Sequence, residues 1–139
     1  MHSFQILQPS AVLALLTLTI LLMLPIRTFR AQFAKKITLE DDFKYGVSAK
    51  VPVEISVLNR NYINLLEAPV LFYVASLLLF VINKTDTTFL YLAWAYVVLR
   101  IIHSAIYLTY NRVLHRGLTF GASASVLTII WVRILLALW

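Results

Sequence analysis

Arg60, Asn64 and Glu67 are spaced i, i+4, i+7, and Arg100, His103 and Tyr107 are spaced i, i+3, i+7. On a helix each set forms one polar stripe. Apart from Glu67, these are side chains of types that can bind an anion. An arginine fork matches a carboxylate, while asparagine, histidine and tyrosine add neutral hydrogen bonds. Glu67 suits an ammonium group on the same ligand. Arg116 follows the second stripe, and with Arg60 and Arg100 it outnumbers the single carboxylate, so positive charge is left over for an anionic ligand. His103 by itself is more naturally a packed, hydrogen-bonded residue than a base, and no set of metal ligands accompanies it.

The elements that carry these residues are membrane spans. Of 139 residues, 61% are hydrophobic and 13% charged, and the mean hydropathy is +0.86. A soluble domain of this size cannot hide that much apolar surface. Four apolar runs of about span length occur, at 10–26, 53–82, 87–110 and 118–138, and each must be helical because lipid cannot satisfy free backbone groups. The expected architecture is therefore an all-α membrane protein, one domain over 1–139 built as a four-transmembrane-helix bundle. The first run is read as a retained span rather than a cleaved signal, because Arg27 and Arg30 follow it with no small-residue cleavage site.

The net charge of +6 does not point to nucleic acid. The basic residues fall between apolar runs instead of covering a polar face. Residues 27–50 carry six of them, and Arg112 and Arg116 sit in the third connection. The positive-inside rule then makes the first and third connections cytoplasmic and puts both termini on the non-cytoplasmic side. Cysteine is absent, which excludes disulfides and a cysteine nucleophile.

An ionisable residue inside a span costs about 2.5 to 3.5 kcal/mol and needs a partner, a cavity or an escape to the interface. Arg133 lies close enough to the chain end to reach water, so no role is assigned to it. Arg60, Asn64 and Glu67 sit in the first half of the second span; Arg100, His103 and Tyr107 sit in the second half of the third. With the second span starting and the third ending at the cytoplasm, the two stripes lie at one depth. Pro69 beside the first stripe removes a backbone hydrogen bond and can open a small space there. The structural alternative is Glu67 pairing an arginine to join two helices.

At these stripes the sequence resembles the MAPEG family, the membrane-associated proteins in eicosanoid and glutathione metabolism. The segment RNYINLLEAPVLFY, Arg60 to Tyr73, is similar to the family's R-x-x-x-N-x-x-E pattern followed by proline. The segment RIIHSAIYLTYNRVLHR, Arg100 to Arg116, is similar to its R-x-x-H-x-x-x-Y segment and the basic residue after it. The resemblance implies a homotrimer that binds glutathione between subunits near the cytoplasmic face. By position, Arg60, Asn64, Glu67, Arg100, His103 and Tyr107 would bind glutathione. Arg116 would be catalytic, stabilising a thiolate whose parent thiol otherwise has a pKa of about 8.5. Ala68 and Gly117 replace an aromatic residue and a serine found in eicosanoid-synthesising members, which points away from those activities.

The resulting expectation is a glutathione-dependent membrane transferase or peroxidase acting on a lipophilic electrophile, with glutathione, a lipophilic small molecule and membrane lipid as partners and no nucleic acid. A bacterial inner membrane fits this short chain better than the endoplasmic reticulum. Two alternatives stand beside it. One is a non-catalytic lipid-binding helper protein of the same fold. The other is a small multidrug transporter using Glu67 as its proton site, which leaves Arg60, Arg100 and Tyr107 without a purpose.

Overall fold

The computed structural model describes residues 3–139. A 3-10 turn, Ser3–Ile6, leads into α1 (Leu7–Phe33). A short α2 (Leu39–Phe43) follows in the first connection, and then come α3 (Val53–Val81), α4 (Thr87–Leu108) and α5 (Val113–Leu138). The four long helices are apolar enough to cross a membrane, as expected of an integral multi-pass protein. At 1.5 Å per residue α4 is about 33 Å long and the other three are about 40 Å, so those three project beyond a hydrocarbon core of about 30 Å. α1 continues through Pro25 to Phe33, well past the apolar run. α5 starts at Val113, so Arg116 stands in its first turn instead of in a loop.

A heptad pattern sets the packing. Leu58, Leu65, Phe72 and Leu79 recur every seventh residue along α3 and are all buried, as are Leu13 and Ile20 on α1 and Leu127 and Ile134 on α5. Seven residues are close to two helical turns, so such a row keeps one seam facing its neighbours. Their partners on α4 include Phe89, Tyr96 and Val97, and Tyr96 stacks on Phe72 with ring centroids 4.6 Å apart. α4 is the centre of the bundle: 44% of its most apolar stretch is buried, against 17% for α1. The remaining apolar residues, such as Leu22, Val70 and Leu136, are exposed on the outer surface, where lipid is their solvent.

The helix ends explain how so short a chain turns sharply. Lys35, Asn83 and Asn111 follow α1, α3 and α4 in left-handed conformations, with φ between 49° and 53°. Asparagine tolerates that region better than most residues, which suits it to closing a helix. Beyond Asn83, Asp86 caps α4 by accepting from the Phe89 amide at 2.7 Å. Its other oxygen holds Arg133 of α5 at 2.8 Å. The Arg133 guanidinium lies 4.8 Å from the Phe89 ring, so this residue clamps α5 to the start of α4. At the opposite, basic end, the first connection folds over a small second core of Ala31, Ile37, Val51 and Ile55.

Candidate functional site

Two residues per turn of α4 face inward near its basic end, and that density places the second polar stripe inside the bundle. Arg100 and His103 are 0% and 3% exposed, and Tyr107 is also buried. Arg100 Nη2 donates to the backbone carbonyl of Asn64 at 2.8 Å and to the Asn64 side-chain oxygen. Its Nε and Nη1 are buried without a partner. One turn on, Ser104 Oγ donates to Asn61 Oδ1 at 3.1 Å. α3 and α4 are thus joined by polar contacts in which no carboxylate takes part.

Around the helix axis the first stripe divides. At about 100° per residue, Asn64 lies about 40° from Arg60 in the inward direction and Glu67 about 20° the other way. Asn64 therefore meets α4, while Arg60 and Glu67 stand exposed on the outer surface of the single chain. Glu67 makes no ion pair with an arginine; the Asp86–Arg133 bridge is the one salt bridge among the described residues.

A cavity of about 260 Å³ opens over this junction, lined by Asn64, His103, Tyr107, Val113, Arg116, Gly117 and Phe120. Four of the seven residues expected at the site line it: Asn64, His103, Tyr107 and Arg116. Arg100 lies behind the wall, in reach of Asn64 and with its guanidinium carbon 5.9 Å from the Phe120 ring. Arg60 and Glu67 do not line it.

Arg116 is held from two sides. Its guanidinium lies over the Tyr107 ring at 4.0 Å, and Nη1 donates to Asn111 Oδ1 at 2.6 Å. The left-handed Asn111 that ends α4 therefore also fixes the arginine that begins α5. His103 is fixed as well. Its Nδ1 lies 3.1 Å from the Arg116 carbonyl and from Thr119 Oγ1. A carbonyl can only accept, which assigns the proton to Nδ1 and leaves Nε2 of the neutral ring as an acceptor. Nε2 is buried and unpartnered. The wall of the cavity thus offers a braced cation, an amide and a fixed imidazole, with a second cation behind them.

Residues 10–136 match the MAPEG family along nearly the whole chain. The chain belongs to that family. MAPEG proteins are generally glutathione-dependent transferases and peroxidases or proteins of eicosanoid pathways. No curated protein and no solved structure matches the chain. In this MAPEG protein one motif segment lies on α3 and the other runs from α4 into the first turn of α5, and they meet through Asn64 and Arg100. Gly117 borders open space, since a Cβ there would meet nothing within 4 Å.

Several residues of the site carry no motif signal. Asn61 is fully buried yet sits beside the recognised asparagine, and Ser104 is its partner on the facing helix. Asn111 reads as a turn residue and Thr119 as an ordinary helical threonine. A polar residue in each of two neighbouring spans was the available clue for Asn61 and Ser104. The contacts of Asn111 and Thr119 with Arg116 and His103 needed the α4–α5 turn itself.

Proposed function

We propose that this MAPEG chain is a glutathione-dependent membrane transferase or peroxidase acting on a lipophilic electrophile. The observation that carries the reading is Arg100, a fully buried guanidinium with two unpartnered nitrogens and no carboxylate at ion-pairing distance. Burying an uncompensated cation is costly, and an anion bound in the adjacent cavity offsets that cost. Glutathione brings two carboxylates, an ammonium group and a thiol. Asn64, His103 and Tyr107 would bind it with Arg100 supplying charge from behind, and Arg116 would hold its sulfur as thiolate.

The thiolate then attacks the electrophile. In transfer, the new C–S bond forms as the leaving group departs with its electron pair. In peroxide reduction, sulfur takes the terminal oxygen of a hydroperoxide and releases the alcohol; a second glutathione then converts the oxidised sulfur to the disulfide and water. Arg116 favours either reaction by stabilising the anion that attacks.

Arg60 and Glu67 enter through a neighbouring copy. Two charges exposed midway along a span are unfavourable against lipid, and the homotrimer implied by the family would cover them and bring both to a ligand held between subunits. On the positive-inside rule the site faces the cytoplasm. The helper-protein reading keeps one point in its favour, an apolar cavity along α5 that needs no catalysis to be useful.

Calorimetric titration of the protein in lipid nanodiscs with glutathione tests the reading, followed by turnover with a lipophilic aryl halide and an alkyl hydroperoxide. Saturable binding that weakens in Arg60→Ala without loss of the oligomer is expected. Absence of glutathione binding overturns the proposal, and binding without turnover selects the helper protein.

A further inference from the structure

At the basic end of the bundle a cavity of about 290 Å³ lies between the end of α1, the turn after it and the start of α3, and shares no residue with the polar cavity. Its α1 wall is the face formed by Arg27, Arg30, Ala31 and Ala34, at i, i+3, i+4 and i+7. The alanines fill little of the space between the arginines. The turn adds a third cation. Lys36 donates its amide to the Ala31 carbonyl at 3.0 Å and Lys35 to the Gln32 carbonyl at 2.8 Å. These paired bonds close a helix through a left-handed residue, here Lys35 at φ 53°. The chain is thereby reversed, and Lys36 lines the same cavity as the arginines.

Glu54 is the single acid of the wall and sits in the first turn of α3, where the helix dipole already favours its charge. It pairs with none of the cations, since the Asp86–Arg133 bridge is the one salt bridge among the described residues. Positive charge is therefore left in excess around an open space.

Depth decides what fills it. Arg27 is the first charged residue after the apolar run of α1, and α1 and α3 both exceed the hydrocarbon core, so this end stands in the headgroup layer, the cytoplasmic one by the positive-inside rule. On the same stretch of α1, Ile26, Phe29 and Phe33 are 53%, 52% and 85% exposed. Apolar side chains that open beside three cations mark the boundary between acyl chains and headgroups. A site that encloses a whole ligand has about 300 to 1,000 Å³, so this one takes a headgroup and leaves the chains outside. Arginine forks match phosphate oxygens, and a basic pocket between spans on the cytoplasmic side suits an anionic lipid.

We propose that this cavity binds the phosphate of an anionic phospholipid of the cytoplasmic leaflet, with Arg27, Arg30 and Lys36 as its donors and the acyl chains lying along α1 at Ile26 and Phe29. Glu54 is left to accept from a headgroup hydroxyl, which a glycerol headgroup carries. The site is independent of the glutathione reading.

Native mass spectrometry of the intact protein in uncharged detergent, titrated with phosphatidylglycerol and in parallel with phosphatidylcholine, tests the proposal. Saturable binding of phosphatidylglycerol is expected, with weaker binding of phosphatidylcholine, whose quaternary ammonium meets the excess cations. The double variant Arg30→Gln, Lys36→Gln should weaken phosphatidylglycerol binding about 25-fold, roughly five-fold for each cation removed. Both side chains are exposed, so the fold stands without them. Lys44→Gln with Lys50→Gln removes two cations of the same connection that do not line the cavity, and should leave the affinity unchanged. Absence of saturable binding overturns the proposal. Equal weakening in the two double variants does so as well, because the charge would then act as a diffuse surface field. Equal binding of the two lipids, or binding of free glycerol phosphate in preference to either, also overturns it. Displacement of the lipid by glutathione has the same force, since the cavity would then belong to the glutathione site.

Discussion

Replacing Arg100 with methionine should raise the stability of the empty protein while abolishing glutathione binding. The side chain is wholly buried, donates through Nη2 to Asn64, and leaves Nε and Nη1 unpartnered. Each buried unsatisfied donor costs about 1 to 3 kcal/mol, and the hydrogen bonds to Asn64 return about 1.5 to 3 kcal/mol because the donor is charged. The unmet desolvation of the guanidinium lies on top of this difference. Methionine is similar in length, flexible and without polar atoms, and exchanging buried charge for well-packed apolar groups is often stabilising by about 1 to 4 kcal/mol. Asn64 would be left facing the open cavity, where water can replace the lost donor. Thermal unfolding in nanodiscs should therefore give a higher midpoint for Arg100→Met without ligand. Saturating glutathione should add about 2.7 kcal/mol to the wild type at a hundredfold excess over Kd, and nothing to the variant. A variant that is several kcal/mol less stable when empty would refute the reasoning, because the guanidinium would then be a structural tie whose charge is already met.

Four further outcomes rest on the contacts around the turn and the cap. Arg116→Ala should return the bound thiol toward its ordinary pKa of about 8.5; if Arg116 lowers it to about 6.5, the thiolate fraction at pH 7 falls from roughly 75% to roughly 3%, read by ultraviolet absorbance. Asn111→Gly keeps the left-handed backbone but frees Arg116, so thiolate formation should drop with little change in unfolding midpoint. Asn111→Ala should add a stability loss of about 1 kcal/mol by thermal unfolding, because alanine resists φ of 49°. Asp86→Ala should cost about 1 to 2 kcal/mol on the same measurement, mostly from the lost cap on α4, since its bridge to Arg133 is 51% and 37% exposed and contributes little.

The four spans were legible because lipid leaves a chain few options: long apolar runs must be helices, and their lengths are nearly fixed. The helix ends were less so. Val113 and Leu114 lie at the start of α5 on the far side of Arg116 from the apolar run, so hydropathy alone placed the start too late and left Arg116 in a loop. The stripes marked the chemistry but not its direction. Asn64 and Glu67 differ by about 60° around α3, and only the position of α4 decides that Asn64 turns inward while Glu67 faces out. Arg133 reaches water as its place in the span suggested, but there it meets Asp86, 47 residues earlier, brought to it by the antiparallel packing of α4 and α5. Long-range pairs of this kind have no local sequence signature.

The same helix that centres the bundle also carries the polar site, and this has an energetic consequence. α4 holds Phe89, Tyr96 and Val97 in the core and, toward its basic end, Arg100, His103 and Ser104 in equally buried positions. A helix loaded with unpaired polar atoms would be displaced toward an interface if it were peripheral. α4 is instead capped at its start by Asp86 and tied at its basic end through Asn111 with Arg116, while the heptad row of α3 grips its middle. The fixed scaffold keeps His103 and Arg116 in one arrangement before any ligand arrives, so little conformational entropy remains to be lost on binding. If that is how the site works, glutathione should bind with the backbone of α4 and the first turn of α5 unchanged. Amide exchange around Tyr107 to Thr119 should then slow uniformly on binding, and the appearance of new protected amides in a segment unprotected beforehand would mean that the site is assembled by its ligand instead.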